Sequence, residues 1–172
     1  MLVPASLESI ADAAVRVGYA WYIPMRISMR IFKWVVLAAI LIQLIPYGHT
    51  HTNPPQTKEP AWNSPETREL IHRACFDCHS NGTAWPWYSN VAPVSWLLQR
   101  DVNGGRSHLN FTEWDRPQKN AKNVVQQVKQ GDMPPWFYLP MHPAARLTES
   151  EKQMVIDGAE KSLGPQAGPE KQ

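Results

Sequence analysis

The chain has 172 residues, a formal net charge of +2 and only two cysteines, alongside eight tryptophans and sixteen prolines. A charge so nearly balanced makes no electrostatic case for nucleic acid, and the nine scattered glycines form no phosphate-binding loop. The length suits one domain of roughly 100–150 residues with something added. The tryptophans, each a large apolar face with one polar N–H, suit a small core or packing around a flat aromatic group.

Residues 1–30 are expected on the cytoplasmic side. Their stretch "LESIADAAVRVGYAWYIP" reads either as a weakly amphipathic helix or as a product of start-codon choice, because Met25 and Met29 each begin a complete basic-then-apolar signal. From Ile31 to Tyr47 the chain reads "IFKWVVLAAILIQLIPY", apolar except for Lys33 and Gln43. A helix of that length spans roughly 25 Å, a little less than the ~30 Å hydrocarbon core. Lys33 can snorkel, and Trp34 and Tyr47 sit where interfacial aromatics belong. Arg26, Arg30 and Lys33 flank the run on its N-terminal side, and only Lys58 follows before Asn63. By the positive-inside rule the expectation is one transmembrane signal anchor over 31–48 in a bacterial inner membrane, with the remainder in the periplasm. A cleaved signal peptide is the competing reading; against it, the exit "IPYGHTHTNPP" has no small-x-small cleavage site.

Residues 49–61, "HTHTNPPQTKEPA", are polar and proline-rich and read as a linker. Over 62–163 four helices are predicted. The first opens at Ser64-Pro65-Glu66 and puts Leu70, Ile71, Ala74, Cys75 and Cys78 on one face. The second runs from about Pro93 to Val102 and stops at Gly104-Gly105. A third starts near Pro117, carries Ala121, Val124, Val125 and Val128, and ends at Gly131. The fourth starts with the capping box Thr148 and Glu151 and fades at Gly164-Pro165, leaving a polar tail over 164–172. No stretch alternates with period two, so the fold class is all-α.

The chemistry concentrates in Cys75-Phe76-Asp77-Cys78-His79, a C-x-x-C-H pattern at the end of the first predicted domain helix. It reads as covalent haem attachment, with thioethers from Cys75 and Cys78 and with His79 as an axial iron ligand. A thioredoxin-like dithiol wants a βαβ context, and a structural zinc site wants four ligands where this cluster supplies three. A haem that only carries electrons needs a second axial ligand. Met133 is the leading candidate, because it lies between Gly131 and the stiff Pro134-Pro135 pair. Met141 and His142 are the alternatives, followed by His108 or an open position.

Residues 60–163 closely resemble the bacterial haem-binding domain family related to cytochrome c. The matching stretches are "ACFDCHSN", "WPWYSNVAPVSWLLQRDVNGGRSHLNF", "EW", "GDMPPWFYLPMHPAARLT" and "SEKQ". The resemblance implies a cytochrome-c-like helical domain, one covalent haem c on Cys75, Cys78 and His79, and the methionine of "MPPW", here Met133, facing the iron. Relative to an ordinary small cytochrome c, the segment Trp85-Pro86-Trp87-Tyr88 is distinctive, and the whole segment, Trp87 included, is expected over a haem edge or face or else in the core. Arg106 and Arg100 are candidates for the haem propionates, with a solvated surface charge as the ordinary role of either. The expectation is a membrane-anchored monohaem cytochrome that transfers electrons and is not an enzyme, with unidentified redox partners. A haem enzyme or a gas or redox sensor is the alternative.

Overall fold

The computed structural model describes residues 28–164; the rest of the expected cytoplasmic segment and the tail from 165 onward lie outside that range. The chain divides into two compact units, Met1–Ile45 and Pro46–Gln172.

In the first unit residues 28–42 form helix α1, whose side chains, among them Ile31, Phe32, Trp34 and Ile40, are exposed. A span over 31–48 was expected; among the described residues no helix is long and apolar enough to cross a membrane. Past residue 42 the N–H groups of Gln43, Leu44 and Ile45 turn back to carbonyls three residues earlier. This tightening precedes Pro46, which has no N–H to continue the ladder and disfavours helical geometry at Ile45.

The second unit is built on α2 (Pro65–His79), α3 (Val94–His108), α4 (Val124–Gln130) and α5 (Glu149–Ser162). The described residues contain no strand, only an isolated bridge between Lys58 and Glu113. Helix α2 begins where the sequence signals it: the Ser64 side chain accepts from the Thr67 N–H, and Pro65 occupies the first turn. Thr67, Leu70, Ile71 and Ala74 recur at helical spacing and are buried. They meet α5 and, at the other end of the helix, α3. Ile71 and Val155 are completely buried, and Phe76, Phe111 and Trp114 form a stacked row with centroids 5.7 and 6.2 Å apart. At Gly158 α5 approaches α2 so closely that a Cβ would lie 2.3 Å from the Thr67 side chain.

Helix α3 does not stop at Gly104-Gly105, as the sequence suggested, but runs through both to His108. Each helical glycine costs roughly 1 kcal/mol relative to alanine. At Gly105 the missing Cβ admits the α2 backbone, since a Cβ there would stand 2.3 Å from the Cys78 carbonyl oxygen. Close packing of two helices outweighs propensity here.

The third predicted helix starts late. Its expected first turn near Pro117 is a loop, followed by a 3-10 turn at Ala121–Asn123 and then α4. Gln118 holds the loop: its Oε1 accepts from the Asn110 N–H (2.9 Å) and its Nε2 donates to the Glu113 carbonyl (2.8 Å). Gly131 ends α4 in the left-handed conformation (φ 77°), as expected of a helix-terminal glycine.

Residues 49–61, read from the sequence as a linker, are strapped to the domain. Asn53 Nδ2 donates to Thr83 O, the Pro55 carbonyl accepts from Asn81, and Thr57 N–H donates to Thr112 O. Side-chain and carbonyl hydrogen bonds of this kind leave no periodic pattern, so a strap and a linker have the same composition.

The capping box of α5 is complete: Thr148 Oγ1 accepts from Glu151 N–H, and the Glu151 carboxylate accepts from Thr148 N–H (2.8 Å) and from Arg73 (2.7 Å). The Thr148 backbone, then Arg73, hold the Glu151 carboxyl down to about 2. Its contribution is therefore complete above the ordinary glutamate value of about 4.3 and is lost as pH falls toward the folded value. In urea titrations, the gap between the midpoints of the natural chain and of Glu151→Gln is expected to close over that acid range. A gap independent of pH would assign the effect to packing.

Candidate functional site

The site forms where the last turn of α2 meets the last two turns of α3. His79 is held there at three points. Its Nδ1 lies 3.1 Å from the Gly105 carbonyl and 3.0 Å from the Leu109 carbonyl, and its own carbonyl accepts from Phe111 N–H at 2.8 Å. Carbonyl oxygens only accept, so Nδ1 carries the proton and Nε2 keeps its lone pair. Burial pushes the imidazole below its ordinary value, against the two carbonyls that favour its charged form. The side chain is thus a neutral imidazole, oriented through Nδ1, which is how a ligating histidine is prepared.

A buried polar network fixes the turn after His79. Asn110 Nδ2 donates to Asn81 Oδ1 (2.7 Å), Thr112 N–H donates to Asn110 Oδ1 (3.0 Å), and Asn81 N–H donates to Thr112 Oγ1 (2.8 Å). These amides satisfy one another away from water, so the loop after α3 and the turn after α2 have one arrangement. Sequence reading missed them; the one signal was two asparagines, Asn81 and Asn110, in otherwise buried stretches.

Both cysteines are free thiols and half-buried. Cys75 packs against the main core, as do Ala121 and Val125. Burial pushes each thiol up to about 12, with the neighbouring Cys78 adding to it at Cys75, and Asp101 and Asp77 adding to it at Cys78. Thiols in this state are protonated at neutral pH and are slow in disulfide exchange.

Cys78 also lines a cleft with Val102, Leu98, Trp85, Tyr138 and His142. The Tyr138 and His142 rings stack at 3.9 Å. Tyr138 donates to Asp77 Oδ2 (2.5 Å), while Tyr88 and His142 Nε2 are 2.5 Å apart. Burial raises the Tyr88 phenol and lowers His142, with Asp77 opposing the fall, so the phenol donates and the imidazole accepts. Asp77 and Tyr138 were not singled out from sequence, and Tyr88 only as part of the segment 85–88; single aromatics and acids in loops give no periodic signal.

Of the other sequence candidates, His142 lines this cleft, whereas Met133 is half-buried in the loop after α4, its N–H 3.3 Å from the Gln127 carbonyl, and is not among the lining residues. Met141 is exposed, and His108 is exposed with Nδ1 on the Gly104 carbonyl (2.7 Å). Trp87 is exposed, whereas Trp85 lines the cleft. Arg106 donates to Ser80 O, Thr52 O, Asn53 Oδ1 and Thr83 Oγ1, between 2.7 and 2.9 Å, and so clamps the strap to the turn after His79. Arg100 is exposed.

Two thiols and an imidazole with a free Nε2, next to a cleft with aromatic and aliphatic walls, suit a porphyrin iron: nitrogen for the metal, sulfur for the periphery, apolar surface for the ring. A family model described as a haem-binding domain matches residues 37–161. The match covers most of the chain, which belongs to the haem-binding domain family and is a haem-binding protein. No curated protein and no solved structure matches it.

Proposed function

We propose that the protein is a membrane-anchored monohaem c-type cytochrome that carries electrons on the periplasmic side of a bacterial inner membrane. The observation that carries this reading is the fixed His79 imidazole, with Nδ1–H committed to two carbonyls and Nε2 left to ligate, one residue after Cys78. In this reading Cys75 and Cys78 would hold the haem through thioethers, each thiol S–H adding across a vinyl group with the sulfur on one carbon and the hydrogen on the other. The addition needs no oxidant and requires reduced thiols, which burial supports. Bound haem supplies the one-electron chemistry; the protein supplies the ligand, the burial and the hydrogen bonding that set the potential. The apolar run through α1, with Arg30 and Lys33 at its start, supports the anchor and its orientation.

Met133, held by the proline pair that follows it, would be the second protein ligand of the iron in this reading. A thioether favours reduced iron and fills the position that oxygen or peroxide needs. Optical spectra of the oxidised and reduced protein test this. A low-spin haem with a methionine-to-iron charge-transfer band is expected, lost in Met133→Ala, which gains carbon monoxide binding, and little changed in Met141→Ala. Loss of the native spectrum in His142→Ala but not in Met133→Ala would assign histidine and a lower potential. One observation favours a haem enzyme or sensor as the second reading: His142 and Tyr88 form a polar pair at the cleft. Rapid carbon monoxide binding by the unmutated ferrous protein would put that reading first.

A further inference from the structure

We infer that the corner made by the 3-10 turn Trp87–Asn90 and the first turn of α3 rests on the lipid surface, with its aromatic and aliphatic side chains in the headgroup–acyl boundary. This rests on the proposed anchor and adds the face by which the domain meets the membrane.

Two observations converge on that corner. The first is chemical. Residues 84–99, "AWPWYSNVAPVSWLLQ", contain no Asp, Glu, Lys or Arg. Yet Trp87 is 76 % and Leu97 55 % exposed, and Val91 and Val94 are exposed with them. Val91, Val94 and Leu97 recur every three residues, while Ser95, Gln99 and Val102 take the buried side of α3. A soluble surface seldom leaves a run of this length without charge, and tryptophan with aliphatic neighbours is the composition of a membrane interface. The first charge after the run is Arg100, a cation suited to anionic headgroups.

The second observation is the path of the chain. The apolar run ends at Tyr47, and the next residue is pressed against this same corner. A Cβ on Gly48 would stand 2.3 Å from the Ser95 carbonyl oxygen, and its φ of 84° suits glycine. His51 Nε2 then meets Ser89 O at 3.1 Å, and its ring stacks on Trp85 at 4.7 Å. Gly48 lies three residues on from Ile45, a reach of about 10 Å at most. A bilayer at the end of the run therefore lies within that distance of the Ser95 backbone, beside the uncharged corner.

The full chain, reconstituted into vesicles of phosphatidylethanolamine and phosphatidylglycerol, tests this with a photoreactive benzoylphenylalanine in place of exposed Leu97 or, as the comparison, exposed Asp157 on α5. An unchanged haem spectrum checks folding of both variants. Lipid adducts, read by mass, are expected to be severalfold more abundant from position 97. Equal yields in chains that withstand an alkaline wash would overturn the docked face and leave the anchor standing. Cross-links from position 97 to a second copy in place of lipid would overturn it too. Release of the chain by the alkaline wash would overturn the anchor, and the docked face with it.

Discussion

Gly104→Ala and Gly105→Ala, one residue apart on α3, are expected to move stability in opposite directions. Around Gly104 nothing lies within 4 Å of an added Cβ, so alanine brings only its better helix propensity, a gain of up to about 1 kcal/mol. At Gly105 the added carbon meets the Cys78 carbonyl oxygen at 2.3 Å and the carbonyl carbon at 2.8 Å. These are backbone atoms of α2, so no rotamer change relieves the contact and the helices must separate. Overpacking of this kind costs about 3 kcal/mol at the upper end of its usual range. The damage is also local to the site, because the Gly105 carbonyl accepts from His79. Denaturation midpoints check the stability, and the optical spectrum of bound haem checks His79. If Gly105→Ala folds as stably as the natural chain with an unaltered spectrum, the close approach of α2 and α3 is not what holds the histidine.

Loss of covalently held haem is expected to be complete in the double variant Cys75→Ala/Cys78→Ala and large in either single variant. The natural protein, made with a working haem-attachment system, should keep its haem on the polypeptide through extraction with acid and organic solvent. Burial pushes both thiols up to about 12 and so keeps them protonated at pH 7, and the pair should resist alkylation and disulfide formation before attachment. Haem that washes out of the natural protein would sink the c-type assignment. Membership of the haem-binding family and the role of His79 would survive that result, since neither depends on a thioether.

How much of this was legible in the chain differs from element to element, for reasons that are physical. Helices α2 and α5 carry their own starting signals, Ser64-Pro65 and Thr148 with Glu151, and both begin where those signals lie. The C-x-x-C-H pattern is likewise local, so the sequence by itself determined which side chains come together at the end of α2, and the helical class of the domain followed from periodicity. What only the tertiary structure decided depends on partners far along the chain. Gly105 reads as a helix stop until Cys78, 27 residues earlier, is seen against it. Arg106 reads as a free charge until Ser80, Thr52, Asn53 and Thr83 are found around its guanidinium. The polar segment 49–61 reads as a tether until its hydrogen bonds to Thr83, Asn81 and Thr112 appear. The tautomer of His79, on which its proposed ligand role rests, is set by the carbonyls of Gly105 in α3 and Leu109 just past its end. Caps and periodicity are written within a few residues of chain; close approach and hydrogen-bond partnership are properties of two segments at once, and only the packed fold brings both segments to the same place.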